Sequence, residues 1–232
     1  MKTFLLTASA TLAILHAGNA ATIVWQAQVD NFLAATDGSP LRDDSLVRIG
    51  YFNFDDAVRD AVIATNATTL AGIQFLNSNF VEFGSARIGD NLDNRAGYFA
   101  DTDTANTSPS GLNLEGKQIY LWAFASGDDS SVNSSINTVR ETGVFYLSKA
   151  ASSRWAFPSD TPIPGATEIE LTNLTGAGPN AGLIAGATIV VGSYNSASDP
   201  DSFQLATVIP EPSAALLGFL GAAGLLFRRR RA

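Results

Sequence analysis

The chain has 232 residues, no cysteine and a single histidine, His16, near its amino terminus. The absence of cysteine excludes thiol catalysis, disulfides and cysteine metal sites. Because His16 is the only histidine, the residues after it cannot form a Ser-His-Asp triad, a histidine general base or a histidine zinc site. Between residues 21 and 209 the chain carries 21 acidic and 9 basic side chains, a net charge of −12. A surface of that sign repels nucleic acid, so we expect no nucleic-acid partner.

The first 20 residues have the layout of a secretory signal peptide. Lys2 supplies a positive charge, residues 4–15 are mostly apolar, and small residues lead up to Ala20. This order predicts a signal helix over residues 1–20, exported through the Sec machinery and cut by signal peptidase between Ala20 and Ala21. A short buried helix is the alternative interpretation.

Strand and turn signals open the domain that follows. Residues Thr22–Val29 form a short β-like run, and the cluster Thr36–Pro40 is typical of a turn. Residues Leu46–Phe52 alternate in polarity and predict a strand.

Two helices are predicted next, over residues 55–65 and 68–76, separated near Asn66. Asp55 and Asp56 would lie in the first turn, where the helix dipole favours negative charge. Helical spacing selects the residues expected to pack inward, which are Phe54, Val58, Ala61 and Val62 in the first helix and Leu70, Ile73 and Phe75 in the second.

The rest of the domain is predicted to be rich in strands. In chain order these are Phe80–Ile88, Gly97–Phe99, Ile119–Phe124, Val144–Leu147, Glu168–Leu171, Leu183–Val191 and Phe203–Val208. Polar loops separate them, the longest at residues 101–116 and 126–135, and residues 173–182 are expected to form a flexible loop. The pattern predicts a mainly β domain over residues 21–207, either a β-sandwich or a curled antiparallel sheet, with the short helical pair covering one end.

The last 25 residues, 208–232, contain three consecutive signals: Pro210-Glu211-Pro212-Ser213, an uncharged apolar run to Phe227, and Arg228-Arg229-Arg230-Arg231. As a helix, the 16 residues from Pro212 to Phe227 would reach roughly 24 Å. A hydrocarbon core is about 30 Å thick, so this transmembrane helix would insert with local thinning or snorkelling of the arginines. The arginines orient it with its carboxyl end in the cytoplasm, which agrees with export of the domain.

This tail resembles the PEP-CTERM sorting domain over roughly a tenth of the chain. The resemblance implies recognition by an exosortase, a membrane-embedded cysteine transpeptidase of Gram-negative bacteria that make extracellular polysaccharide. The tail would hold the protein in the inner membrane and be cut near Pro210-Glu211-Pro212 during delivery to the surface. Residues 47–52, Val144-Phe145 and 155–158 also resemble the bodies of uncharacterised PEP-CTERM proteins, which brings no activity.

Candidate ligand sites in the domain are few. Asp101 and Asp103 have the spacing of calcium-loop carboxylates, with polar turns as the alternative, and no other cofactor or metal is predicted. Flat rings could stack on sugars, or belong to the core. These rings are Trp25, Tyr120, Trp122 and Trp155; of these, Trp155 is expected to be partly exposed, and Tyr120 and Trp122 are expected to be core residues.

We therefore predict a non-enzymatic exported protein with no catalytic residue, sorted by its tail to the cell surface or extracellular matrix, where it has a structural or adhesive role. Extracellular polysaccharide is a candidate partner there. Two alternatives remain open at this point. One is a carbohydrate-active enzyme, whose two carboxylates cannot be chosen among 21 acids. The other is an envelope protein that keeps its inner-membrane anchor permanently.

Overall fold

The computed structural model describes residues 20–27, 31–43, 45–92, 94–126, 136–160, 167–176, 181–197 and 200–209. The predicted signal helix up to residue 19, and the sorting tail from Pro210, lie outside the described residues. The strands are β1 (Ala21–Ala27), β2 (Asn31–Ala34), β3 (Leu46–Phe52), β4 (Phe80–Arg87), β5 (Phe99–Ala105), β6 (Tyr120–Ala125), β7 (Glu141–Leu147), β8 (Thr167–Glu170), β9 (Ala187–Val191), β10 (Ser193–Asn195), β11 (Asp201–Gln204) and β12 (Ala206–Thr207). The helices are α1 (Arg59–Asn66), α2 (Leu70–Ser78) and the 3-10 helices Ser153–Trp155 and Leu171–Leu174.

These strands form three sheets. The large sheet has the order β12-β7-β6-β3-β4, with β9 beside β7. The first small sheet is β5-β1-β8, and the second small sheet is β10-β11-β2. The predicted mainly β, sandwich-like architecture with two short helices is confirmed. The large sheet is antiparallel throughout, whereas each small sheet contains one parallel pair, β1 with β8 and β11 with β2.

Both small sheets pack on one face of the large sheet. Residue alternation places Ile49 of β3 on this face, beside its cross-strand partner Gly84. A Cβ on Gly84 would overlap the Asp103 carboxylate of β5, so the first small sheet lies directly above it. In the second small sheet, Phe203 packs edge-on against Phe145 of β7, with ring centroids 5.3 Å apart. The result is a sandwich with an aromatic interior.

The helical pair covers the opposite face of the large sheet. Tyr146 of β7 donates a hydrogen bond to Asp60 of α1, and Arg48 of β3 donates to Asn77 of α2. Under the helices lies an aromatic cluster formed by Phe52, Phe80, Tyr120, Trp122 and Phe124. The expectation that the helices cover one end of the sandwich is therefore wrong. They form a third layer.

The inward side of the helices also differs from the prediction. Helix α1 begins at Arg59, because residues 55–58 form a turn in which the Asp55 carboxylate accepts the N–H of Ala57. The side chain of Ile63 therefore faces the core, while Val58 is 49% exposed. In α2, Ile73 is buried as predicted but Phe75 is 46% exposed and stacks on Phe54.

The other differences from the predicted elements concern one polar strand, two very short strands and a 3-10 helix. The predicted loop at residues 101–116 begins as β5, whose Asp and Thr residues give no apolar alternation. The strands β2 and β10, four and three residues long, were not predicted because such short runs carry little pattern. The predicted flexible loop at 173–182 begins inside the 3-10 helix Leu171–Leu174, which Glu170 and Asn173 cap reciprocally.

Candidate functional site

The predicted processing points lie at the limits of the described fold. Ala20 is exposed, and Ala21, the predicted first residue after cleavage, is buried as the first residue of β1 opposite Ala105. Cleavage between Ala20 and Ala21 would leave every residue of β1 in place. Pro210 to Ser213, which directly follow Ile209, and Arg228 to Arg231 fall outside the described residues.

The last described residue, Ile209, is bonded to the helical layer. The N–H of Ile209 donates to the carbonyl of Thr68 at 2.8 Å, and Ile209 pairs in parallel with Thr69 as an isolated bridge. One residue earlier, the N–H of Val208 donates to the carbonyl of Arg140 at 2.6 Å. The side chain of Ile209 is 62% exposed. These bonds hold Ile209, the last described residue, against the link between α1 and α2.

The proposed calcium carboxylates lie on a strand rather than in a loop. Asp101 and Asp103 alternate on β5 and point to the same face, toward β4. Asp103 accepts the indole N–H of Trp25 at 3.0 Å, and burial raises the pKa of its carboxyl. Within the described residues, no three acidic, histidine or cysteine side chains gather closely enough to hold a metal ion.

All three tryptophans are buried in the core. Trp122 and Tyr120 are core residues, as predicted, and the indole of Trp122 donates to Thr142 Oγ1 at 2.9 Å. The expectation that Trp155 is partly exposed is wrong, because the 3-10 helix turns its ring inward to 0% exposure. Its Nε1 has no hydrogen-bond partner among the described residues. With Trp25 also at 0% exposure, these rings do not form a sugar-stacking surface.

A tyrosine cluster lies under α1. Tyr146 Oη donates to Asp60 Oδ2 at 2.7 Å, and Tyr120 Oη donates to Asp60 Oδ1 at 3.2 Å. Burial raises the pKa of both tyrosine hydroxyls, and the nearby Asp60 carboxylate adds to the effect. Both hydroxyls therefore remain protonated at neutral pH and act as donors, which suits positioning rather than base catalysis.

Arg59 completes this cluster from the first residue of α1. Its guanidinium donates to the carbonyls of Phe52 and Phe54, to Tyr51 Oη and to Asp56. The hydrogen bond from Arg59 and its positive charge lower the pKa of Asp56. Since these four acceptors occupy the guanidinium, Arg59 fastens the chain entering α1 to the end of β3.

A second buried cation lies under α2. Arg48 pairs with Glu82, donates to Asn77 Oδ1 at 2.5 Å, and lies 4.8 Å from the Phe80 ring centroid. Burial lowers the pKa of Arg48, and the charge of Glu82 opposes that effect. Arg48 and Glu82 border a polar cavity of about 260 Å³ that also reaches Arg87 and Asp90.

The structure identifies one carboxylate pair that the sequence pattern could not. Glu168 and Glu170 alternate on β8, and Gln26 Nε2 of β1 donates to both, at 2.9 Å to Glu168. The Thr172 hydroxyl also donates to Glu170 at 2.8 Å. Because an amide occupies the space between them, the two carboxylates hold no room for a glycosidic bond in this arrangement.

A cavity of about 370 Å³ lies where the turn after β2 meets the end of β6. Its polar lining includes Asp37, Arg42, Ser45, Ser126 and Glu141. Charges of both signs line it together with Leu41 and Pro40, so its lining does not single out one class of ligand.

Comparison with protein-family models, with curated proteins and with solved structures gave no match. Neither α-helix in the described ranges is long and apolar enough to cross a membrane. The functional assignment therefore depends on the residues of this chain alone.

Proposed function

We propose that this protein is a non-enzymatic cargo that is exported and then sorted to the cell surface or extracellular matrix by its C-terminal tail. The observation that carries the proposal is the order of the three tail signals: the Pro-Glu-Pro motif at 210–212, the apolar run to Phe227 and the four terminal arginines. Inner-membrane anchoring is transient in this scheme, and an exosortase is the processing partner.

The geometry of the body supports a structural or adhesive role. Its buried and half-buried polar side chains hold the layers together: Asp60 and Arg59 bond α1 to the large sheet, and Arg48 bonds to α2. Most of its aromatic area fills the core. These are the features of a stable scaffold, and the −12 surface keeps such a scaffold soluble outside the membrane.

The sorting proposal is tested at the mature C-terminus. The chain is expressed in an exosortase-bearing host with Pro210→Ala and Pro212→Ala together, and a control variant carries Pro40→Ala and Pro158→Ala in the body. Mass spectrometry of the wild type and the control should find a C-terminus near residues 210–212 without the arginines. The motif variant should keep Arg228 to Arg231 and stay in the inner membrane. An intact arginine end on the wild-type protein at the surface would reject processing.

The enzyme alternative is tested at the Glu168–Glu170 pair, although Gln26 donates to both carboxylates in this structure. The chain is incubated with envelope polysaccharide, and released sugars are measured beside a Glu168→Gln, Glu170→Gln variant. The proposal predicts retention of polysaccharide without release by either protein. If the wild type releases sugars and the double variant does not, the protein is a glycoside hydrolase and the non-enzymatic proposal is rejected.

A further inference from the structure

The distance from the folded body to the predicted membrane segment is short. Ile209 is fixed to Thr68 and Thr69 in the link between α1 and α2. The apolar run begins at Pro212, and three extended residues reach at most about 11 Å. The headgroup region of one leaflet is about 5–8 Å thick. While the tail is embedded, the surface around Ile209 must therefore lie among the lipid headgroups or within about 6 Å of them.

The surface at that point is the outer side of the helical pair, here called the exit face. Its exposed side chains recur at helical spacing on both helices. They are Ala61, Ala64, Thr65, Thr68, Ala71, Gln74, Phe75, Ser78 and Ile209.

The exit face has no charged side chain. No acidic or basic residue occurs in the 21 positions from Ala61 to Val81, although the body carries 21 acidic side chains in 189 residues. Gln74 and Asn137 extend the neutral surface through a side-chain hydrogen bond of 3.0 Å. Next to Asn137, the Arg140 side chain is exposed, and its backbone holds Val208.

We infer that the exit face is a lipid-facing surface that lies against the headgroups while the tail is embedded; the inference rests on the proposed function. Anionic lipid headgroups repel acidic side chains, so a body of net charge −12 approaches a bilayer most easily through a neutral face. Exposed Phe75 and Ile209 supply apolar area for the headgroup boundary, and Arg140 supplies a cation. The occupant of this face is the lipid surface rather than another protein.

The opposite side of the molecule provides a matched control. The side chains of Thr102 and Thr104 are exposed on the outer side of the first small sheet. The large sheet lies between that sheet and the helices. With about 10 Å between packed layers, Thr102 is on the order of 20 Å from the exit face.

The test uses the cysteine-free chain directly. Single-cysteine variants Ala64→Cys, Ala71→Cys, Thr102→Cys and Ala222→Cys are made in the mature chain from Ala21 to Ala232. Each is labelled with bimane and reconstituted in phosphatidylglycerol vesicles with nitroxide lipids at headgroup depth or deep in the acyl region. Headgroup nitroxides should quench the labels at 64 and 71 at least threefold more than the label at 102, and deep nitroxides should quench the label at 222.

Each other result overturns the inference in a distinguishable way. Equal quenching at 71 and 102, with position 222 quenched from the acyl region, removes the lipid-facing surface and leaves the sorting proposal standing. An unquenched label at 222 removes membrane embedding, and with it both proposals. Thermal melts of all four labelled variants establish that each body is folded; the residues changed at 64, 71 and 102 are exposed.

Discussion

At the scale of single residues, the polar side chains under the helices act as fasteners. Asp60 accepts two tyrosine hydroxyls from the large sheet, and Arg59 bonds to the carbonyls of Phe52 and Phe54 at the end of β3. These groups are largely shielded from water, so loss of one partner leaves another polar group unsatisfied.

We predict that Asp60→Ala lowers the free energy of unfolding by roughly 2–3 kcal/mol, because it leaves the hydroxyls of Tyr120 and Tyr146 without their acceptor. Urea denaturation monitored by tryptophan fluorescence measures the change. Asp43→Ala, at an exposed position, is the control and should stay within about 0.5 kcal/mol of the wild type. Equal midpoints for the two variants would show that the tyrosine cluster does not hold the helices in place.

Two aspartates should respond to pH with opposite signs. Burial raises the pKa of Asp103, so its ionised form destabilises the folded state, and stability is lost as pH rises through the folded-state pKa. For Asp160, burial raises the pKa, but hydrogen bonds from Thr107 and Ser108 lower it overall. Its contribution is therefore present at neutral pH and is lost as pH falls through the folded-state pKa.

We predict that Asp103→Asn stabilises the protein at pH 7. Asp160→Asn should lower the free energy of unfolding at pH 7 by roughly 1–2 kcal/mol. Both differences should shrink when the melts are repeated near pH 3. A loss of stability at pH 7 in Asp103→Asn would mean that its bond from Trp25 outweighs the burial of the charge.

At the scale of elements, the spacing of the sheets depends on one glycine. Gly84 of β4 leaves space for the Asp103 carboxylate of β5, and the two strands are in contact without pairing. This contact lies where edge strands of the large sheet and the first small sheet meet.

Gly84→Ala should lower the free energy of unfolding by about 1–3 kcal/mol, because the added methyl group overlaps Asp103 and forces the sheets apart. Gly182→Ala is the control, since a Cβ there meets no atom within 4 Å. Combining Gly84→Ala with Asp103→Ala should recover part of the lost stability. Chemical denaturation of Gly84→Ala, Asp103→Ala, the double variant and Gly182→Ala will measure this recovery. A Gly84→Ala protein as stable as the control would contradict this packing.

The sequence predicted elements well where packing followed local pattern. Strand β3 matches its predicted bounds, because Leu46–Phe52 carries the expected apolar residues. Strand β5 was missed because its inward positions include Asp101 and Asp103, and local pattern could not reveal that Gly84 makes room for one of them. The tyrosine cluster was also not predicted, since Asp60 and Tyr146 lie 86 residues apart and only the topology brings them together.

At the scale of the whole molecule, the chain consists of a folded body and a proposed sorting tail. The body is an acidic sandwich with a helical third layer, and its described fold ends at Ile209, directly before the proposed sorting motif. The uncharged exit face and the short connection from Ile209 to Pro212 are consistent with a body that lies against the membrane before the tail is cut. The surface role and the lipid contact both depend on where this body is found in the cell.

The most direct measurement is the location of the body together with the state of both ends of the chain. Intact cells, spheroplasts and cytosol from an exosortase-bearing host are treated with protease, and an antibody against residues 45–92 follows the body. We predict that the body is accessible on intact cells, starts at Ala21 and lacks Arg228 to Arg231 by mass spectrometry. A full-length chain in the cytosol that retains both apolar termini would contradict the account.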